Sequence, residues 1–155
     1  MPHDTSKSHA TKVADAWDPS DPGLWFCNWR IWVDAKRRLD EALSPLGLRS
    51  KEFWLLSLAG AGDFSQQHIA ELCGLDPSTL VPWLDALEQR GWLRRERSPR
   101  DRRIQLVRRT EAGDQLFHRA LPRAQRAEAE QLAVLSEAHQ RQLVEAMRKL
   151  ITNNK

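Results

Sequence analysis

DPSTLVPWLDALEQRGWLRRERSPRDRRIQLVRRTEAG, residues 76–113, holds a helix start, a short apolar-faced helix, a glycine stop and an arginine-dense segment. Asp76-Pro77 reads as an N-cap followed by proline at the first helical position. Leu80, Trp83, Leu84 and Leu87 then recur at helical spacing on one face, and Gly91 ends the run. Beyond Gly91 the period changes. Trp92 and Leu93 lead into Arg94–Arg97, the turn Ser98-Pro99-Arg100-Asp101 follows, and Ile104, Leu106 and Arg108 alternate with opposite-face residues. This predicts a two-stranded hairpin with a charged tip. From Arg90 to Arg109 nine arginines stand against Glu96 and Asp101, a local charge of +7, whereas the whole chain carries +3, so the remainder sums to −4. Cationic charge concentrated in this way is the mark of a chain that grips phosphate.

Working outward, 155 residues with 41% hydrophobic and 29% charged composition describe one globular domain. The first 20 residues are polar and read as a mobile tail, without the apolar core of a secretory signal. No apolar run reaches the ~20 residues a membrane span needs. Cys27 and Cys73 fit no metal spacing, so the expectation is a cytoplasmic protein with reduced thiols and neither metal nor cofactor. Asp21-Pro22 predicts a first helix to Leu43, stopped by Ser44-Pro45-Leu46-Gly47. Phe53 to Leu58 predict a second helix, ending at Gly60-Ala61-Gly62. Ser65 caps a short third, QQHIAELC, closed by Gly74. Thr110 caps a long helix through Leu135, bent at Pro122, and Ser136-Glu137 opens the last, with Leu143, Val144, Met147 and Leu150 apolar.

Two short helices joined at Gly74 and followed by a basic hairpin make a winged helix-turn-helix, within a mainly α fold. At this point the chain resembles the MarR family of bacterial transcription regulators. The matching residues are Asp76, Ser78 and Thr79; the L-D-x-L-E-x-x-G of Leu84 to Gly91; the R-D-R-R of Arg100 to Arg103; and Thr110-x-x-Gly113. The resemblance runs from about Asp21 to the C-terminus. It implies a winged core over about 48–110 and dimerisation helices over about 21–43 and 111–152, within a domain of residues 21–155. It also implies a homodimer, double-stranded DNA with a pseudo-palindromic operator as partner, and a small aromatic or anionic effector. Half-sites then lie one helical turn, ~34–36 Å, apart.

The DNA-contacting candidates are Ser65, Gln66 and His68 at the third helix; Ser78, Thr79, Val81, Pro82 and Gln89 on the reading helix; and Arg95, Arg97, Arg100, Arg102 and Arg103 of the wing. The tip arginines suit a narrow, electronegative minor groove. Asp101 is expected to bridge Arg103 and fix the turn, as the family pattern suggests. The reading helix departs from the family at Val81, Pro82 and Ala86, where polar or basic residues are usual. Base reading then rests on methyl contacts and DNA shape or is weak, in which case the dimer acts through protein partners. Pro82, six residues into the helix, deprives the Ser78 carbonyl of its partner and predicts a kink.

Trp25, Trp29 and Trp32 share one face of the first helix. They are read either as dimer core or, with Arg30 or the nearby Asn28 as polar anchor, as the wall of an effector pocket. Trp54 joins that list, while Trp54, Trp83 and Trp92 also read as core of the winged domain. Cys27 is a sensing thiol beside Arg30 or an inert filler. Cys73 reads as packing. Five scattered histidines with no nucleophile motif or phosphate loop offer nothing for catalysis.

Overall fold

The computed structural model describes residues 22–152, so the tail and Asp21 lie outside the described residues. Two compact units meet at Asp34/Ala35, inside helix α1 (Leu24–Leu43). The Gly23 carbonyl accepts from Phe26 and Cys27 N–H at 3.1 and 3.2 Å, so the helix opens just after the Asp21-Pro22 expected to start it. In the first unit its residues are mostly exposed: Trp25 at 83%, Trp29 at 52% and Trp32 at 59%. Past Ala35, Lys36 pairs with Asp40 (2.6 Å) and Arg37 with Glu41 (2.8 Å), each one turn apart. A 3-10 turn, Ser44–Leu46, and Gly47 at φ 66° end the helix at the expected place.

The second unit holds the buried core. Helix α2 (Ser50–Ala61) buries Phe53, Leu55, Leu56 and Ala59. Its first turn is fixed by Glu52, whose Oε2 accepts from Arg49 N–H (2.8 Å), and by Asp40, whose Oδ1 accepts from Ser50 N–H (2.6 Å). Helix α3 (Gln66–Cys73) begins where Ser65 Oγ accepts from His68 N–H (3.0 Å) and ends at Gly74, φ 61°. Asp76 caps α4 (Pro77–Gln89), accepting from Ser78 N–H at 2.8 Å. Leu80, Leu84 and Leu87 of α4 are almost fully buried against Phe53, Leu56 and Ile69. The helix continues through Pro82.

Strands β1 (Leu93–Arg97) and β2 (Gln105–Arg109) pair antiparallel, Leu93 opposite Arg109 and Arg97 opposite Gln105. One element was missed from sequence. Ser65 bridges to Leu106, and Val107 N–H donates to Phe64 O at 3.0 Å, so the residues before α3 form a third rung on the hairpin. Two residues are too few to show a strand period. Helix α5 (Glu111–Leu132) starts at Thr110, whose Oγ1 accepts from Gly113 N–H (3.0 Å) and donates to Gly91 O (2.6 Å). It continues through Pro122, and α6 (Glu137–Thr152) follows.

Two placements correct the sequence reading and a third refines it. Trp54, assigned to the core, is 57% exposed, because α2 turns Phe53, Leu55 and Leu56 inward instead. Cys73, assigned to packing, is exposed at the last turn of α3. Trp83 and Trp92 are half-buried at the edge of the core and bear cations on their faces: Lys51 Nζ at 4.7 Å and the Arg90 guanidinium at 3.6 Å.

Candidate nucleic-acid interface

Among the described residues, six of the nine arginines from Arg90 to Arg109 are engaged within the domain and three are not. Arg90 donates to Gly47 O (2.7 Å) and pairs with Glu52 (3.2 Å). Arg94 pairs with Glu96 (3.2 Å), and Arg108 bridges Glu96 and Asp63. Arg109 lies under the hairpin, 2.7 Å from Asp114 and stacked 4.2 Å from the Phe117 ring. These side chains build the domain. At the tip, Arg97, Arg100 and Arg102 are exposed and, among the described residues, none has a side-chain ion pair or hydrogen bond.

The turn that carries them is tightly held. Ser98 N–H donates to Ile104 O and Ile104 N–H to Asp101 O, both at 2.9 Å. Asp101 accepts from Arg103 Nη2 (2.9 Å) and from Arg103 N–H (3.0 Å). Those bonds, the side-chain ones foremost, hold the Asp101 carboxyl below its ordinary value. The Asp101–Arg103 pair expected from sequence is therefore present, leaving three unpaired cations around a fixed turn.

Arg95 is placed differently from a tip cation. Its guanidinium turns onto α4, where it bonds Asp85 and reaches Glu88 Oε2 at 2.6 Å, and its N–H donates to Glu88 Oε1 at 2.8 Å. Hydrogen bonds from the Arg95 side chain, then from its backbone, hold Glu88 below its ordinary 4.5. The result is a brace that fixes the wing's position against α4. Sequence reasoning missed it, because residues seven and ten apart meet only when the hairpin folds back on the helix. A carboxylate with a lowered folded pKa stabilises the fold above its unfolded value, and that contribution is lost as pH falls through the folded one. Wild-type thermal stability is therefore expected to decline below about pH 4.5. Arg95→Ala should show a shallower acid limb and about 1–2 kcal/mol less stability at pH 7, both read from melts over pH.

On α4, Ser78, Thr79, Pro82, Ala86 and Gln89 are exposed. Val81, expected to face outward, is half-buried. At α3, Ser65 and Gln66 are half-buried, and the exposed His68 ring lies edge-on to Phe64 at 5.1 Å. Ser65, Gln66, Gln67, Arg103, Ile104 and Gln105 line a groove of about 320 Å³ between the start of α3 and the wing. The structure thus brings Ser65, Gln66 and Arg103 together, with α4 braced to the same hairpin through Arg95.

A separate cleft of about 570 Å³ is walled by Leu39, Phe53, Trp54, Leu121 and Met147, with Arg38 at its edge. Of the residues named for an effector, Trp54 lines it. Within the first unit, the Arg30 guanidinium lies 5.9 Å from the Trp29 ring, Phe26 packs on Trp29 at 5.7 Å, and the half-buried Cys27 thiol donates to Pro22 O at 3.2 Å. Among the described residues no group of His, Cys, Asp or Glu is placed to hold a metal, and no helix is long and apolar enough to cross a membrane.

A helix-turn-helix whose second helix is braced to an arginine-tipped hairpin defines a winged-helix DNA-binding domain. A MarR-family model matches residues 53–105. The HTH-type transcriptional regulator PecS of Dickeya dadantii is 33% identical over 81% of this chain and 80% of its own length. CouR from Rhodococcus jostii RHA1, in a structure bound to p-coumaroyl-CoA, superposes with a TM-score of 0.78 at 30% identity, covering 87% of this chain and 95% of that one. CouR bound to a 23-mer DNA duplex gives a TM-score of 0.76 at 27% identity, over 83% and 92%. The chain belongs to the MarR family and is a transcriptional regulator, not an enzyme.

Proposed function

We propose that the chain works in the bacterial cytoplasm as a homodimeric repressor that grips a pseudo-palindromic operator and releases it when a small aromatic or anionic effector binds. The observation that carries the DNA reading is the set of unpaired Arg97, Arg100 and Arg102 beside the fixed Asp101–Arg103 turn. Ser65, Gln66, His68, Arg103 and the exposed face of α4 complete the contact surface. Arg95 acts by holding wing and helix in register.

Exposed apolar side chains support the dimer: Trp25, Trp29 and Trp32 on α1, and Leu150 and Ile151 on α6. The Trp54 cleft suits a planar apolar ligand. A neighbouring groove of about 640 Å³ shares Arg38 with it and adds Arg126, paired with Glu130 at 2.9 Å, and Arg123, the cation placed to meet an anion. The CouR complex with p-coumaroyl-CoA is consistent with such a ligand.

Two variants test this account. Trp54→Ala should keep DNA affinity within about twofold while losing release by aromatic acids and their thioesters, read by anisotropy. Retained release would move the effector away from the cleft. Trp29→Ala should shift sedimentation toward monomer, and an unchanged dimer would leave that ring as filler. The absence of any Lys or Arg from α4 favours one second reading, a winged dimer with degenerate base reading that acts through a protein partner.

A further inference from the structure

The exposed stripe of α4 runs through Ser78, Pro82, Ala86 and Gln89, spaced so that all four share one side, opposite the buried Leu80, Leu84 and Leu87. The chemistry of that stripe is restrictive. Guanine is most often read by a forked cation on O6 and N7, and α4 has no Lys or Arg along Pro77–Gln89. Of the arginines beside the helix, the C-cap Arg90 is held by Gly47 O (2.7 Å) and Glu52 (3.2 Å), and Arg95 is engaged by Asp85 and Glu88. Cytosine is read by a carboxylate accepting from its N4 amino group. The carboxylates of α4 are those same two residues, and Arg95 occupies both. Ser78, whose N–H donates to Asp76 Oδ1 at 2.8 Å, and the exposed Thr79 offer hydroxyls, which pair with any base and discriminate little. What remains to tell bases apart on the floor of a major groove is an apolar step, Pro82 and Ala86, and one amide, Gln89.

We propose that each operator half-site is read as A·T pairs: thymine 5-methyl groups pack on Pro82 and Ala86, and Gln89 holds an adenine by its N6 and N7 edge. Ala86 is thereby a specificity-determining residue that sequence reasoning had set aside. The inference rests on α4 entering the major groove. Arg95 serves it doubly, positioning α4 on the wing and neutralising the carboxylates that would otherwise favour cytosine and repel phosphate.

The test begins with selection of duplexes from a random pool by the full-length chain. Selected half-sites should centre on A·T pairs. In the selected duplex each thymine is then replaced singly by deoxyuridine, which removes the methyl and leaves the pairing intact. Loss of a packed methyl should weaken binding about fourfold at one or two positions per half-site and hardly at all elsewhere. Pro82→Ala together with Ala86→Gly should bind thymine and uracil duplexes equally, and Ala86→Arg should shift selection toward guanine. Uracil duplexes bound as tightly as thymine duplexes at every position, or half-sites centred on G·C pairs, would overturn the A·T reading while leaving operator recognition in place. A selection that returns no preferred sequence, with binding intact at low salt, would overturn this inference and base reading by α4 together.

Discussion

Replacing Arg97, Arg100 and Arg102 together by alanine is expected to weaken DNA binding by roughly a hundredfold or more at physiological salt, for native and scrambled duplexes alike. Each guanidinium lost from a phosphate lowers the slope of log K against log salt by about 0.9, so the slope should fall by up to about three units per protomer. The three side chains are exposed and unpaired among the described residues, so the fold should not suffer. Arg94→Ala supplies the control, because that equally exposed cation is paired with Glu96 and its loss should leave the slope nearly unchanged. If the triple variant binds with the wild-type slope, the wing tip does not touch the backbone.

The second large effect concerns stability. Gly113 is buried in the first turn of α5, where Thr110 caps the helix and ties it to Gly91. A Cβ at Gly113 would collide with the backbone carbonyl of Trp92, which has no freedom to yield because it accepts Thr110 N–H at 3.1 Å. Gly113→Ala should therefore cost about 3–5 kcal/mol and lower Tm by roughly 10–15 °C. Gly62→Ala is the comparison. A Cβ there would find only ordinary contact, 3.7 Å from the Phe64 ring, and the melt should hardly move. A Gly113→Ala melt within 2–3 °C of wild type, about 1 kcal/mol, would show that the hairpin base can shift away from α5.

These two effects also mark where the sequence is legible. Caps and stops are local chemistry, so Ser65, Asp76 and Thr110 located three helix starts, and Gly47, Gly74 and Gly91 three ends. The alternation after Gly91 located the hairpin. Interactions that depend on the chain folding back were not legible. Nine clustered arginines look alike in sequence, and only the fold separates Arg109, stacked on Phe117, and Arg95, bound to Asp85 and Glu88, from the open tip. Trp54 misled for a related reason: an aromatic in an apolar run reads as core, but in α2 the neighbouring Phe53 and Leu55 take the inward positions. Nor did an apolar pattern distinguish half-buried Val81 from exposed Ala86.

The most direct test of the central claim is an anisotropy titration of the full-length chain with its own upstream intergenic DNA against a scrambled duplex of equal length, both over a range of salt. The account predicts steep salt dependence for both duplexes, from the arginine tip, and a preference of at least a hundredfold for the native fragment that persists at physiological salt. Equal binding to both duplexes at every salt concentration would contradict it, leaving an arginine wing that grips DNA without a helix that reads it.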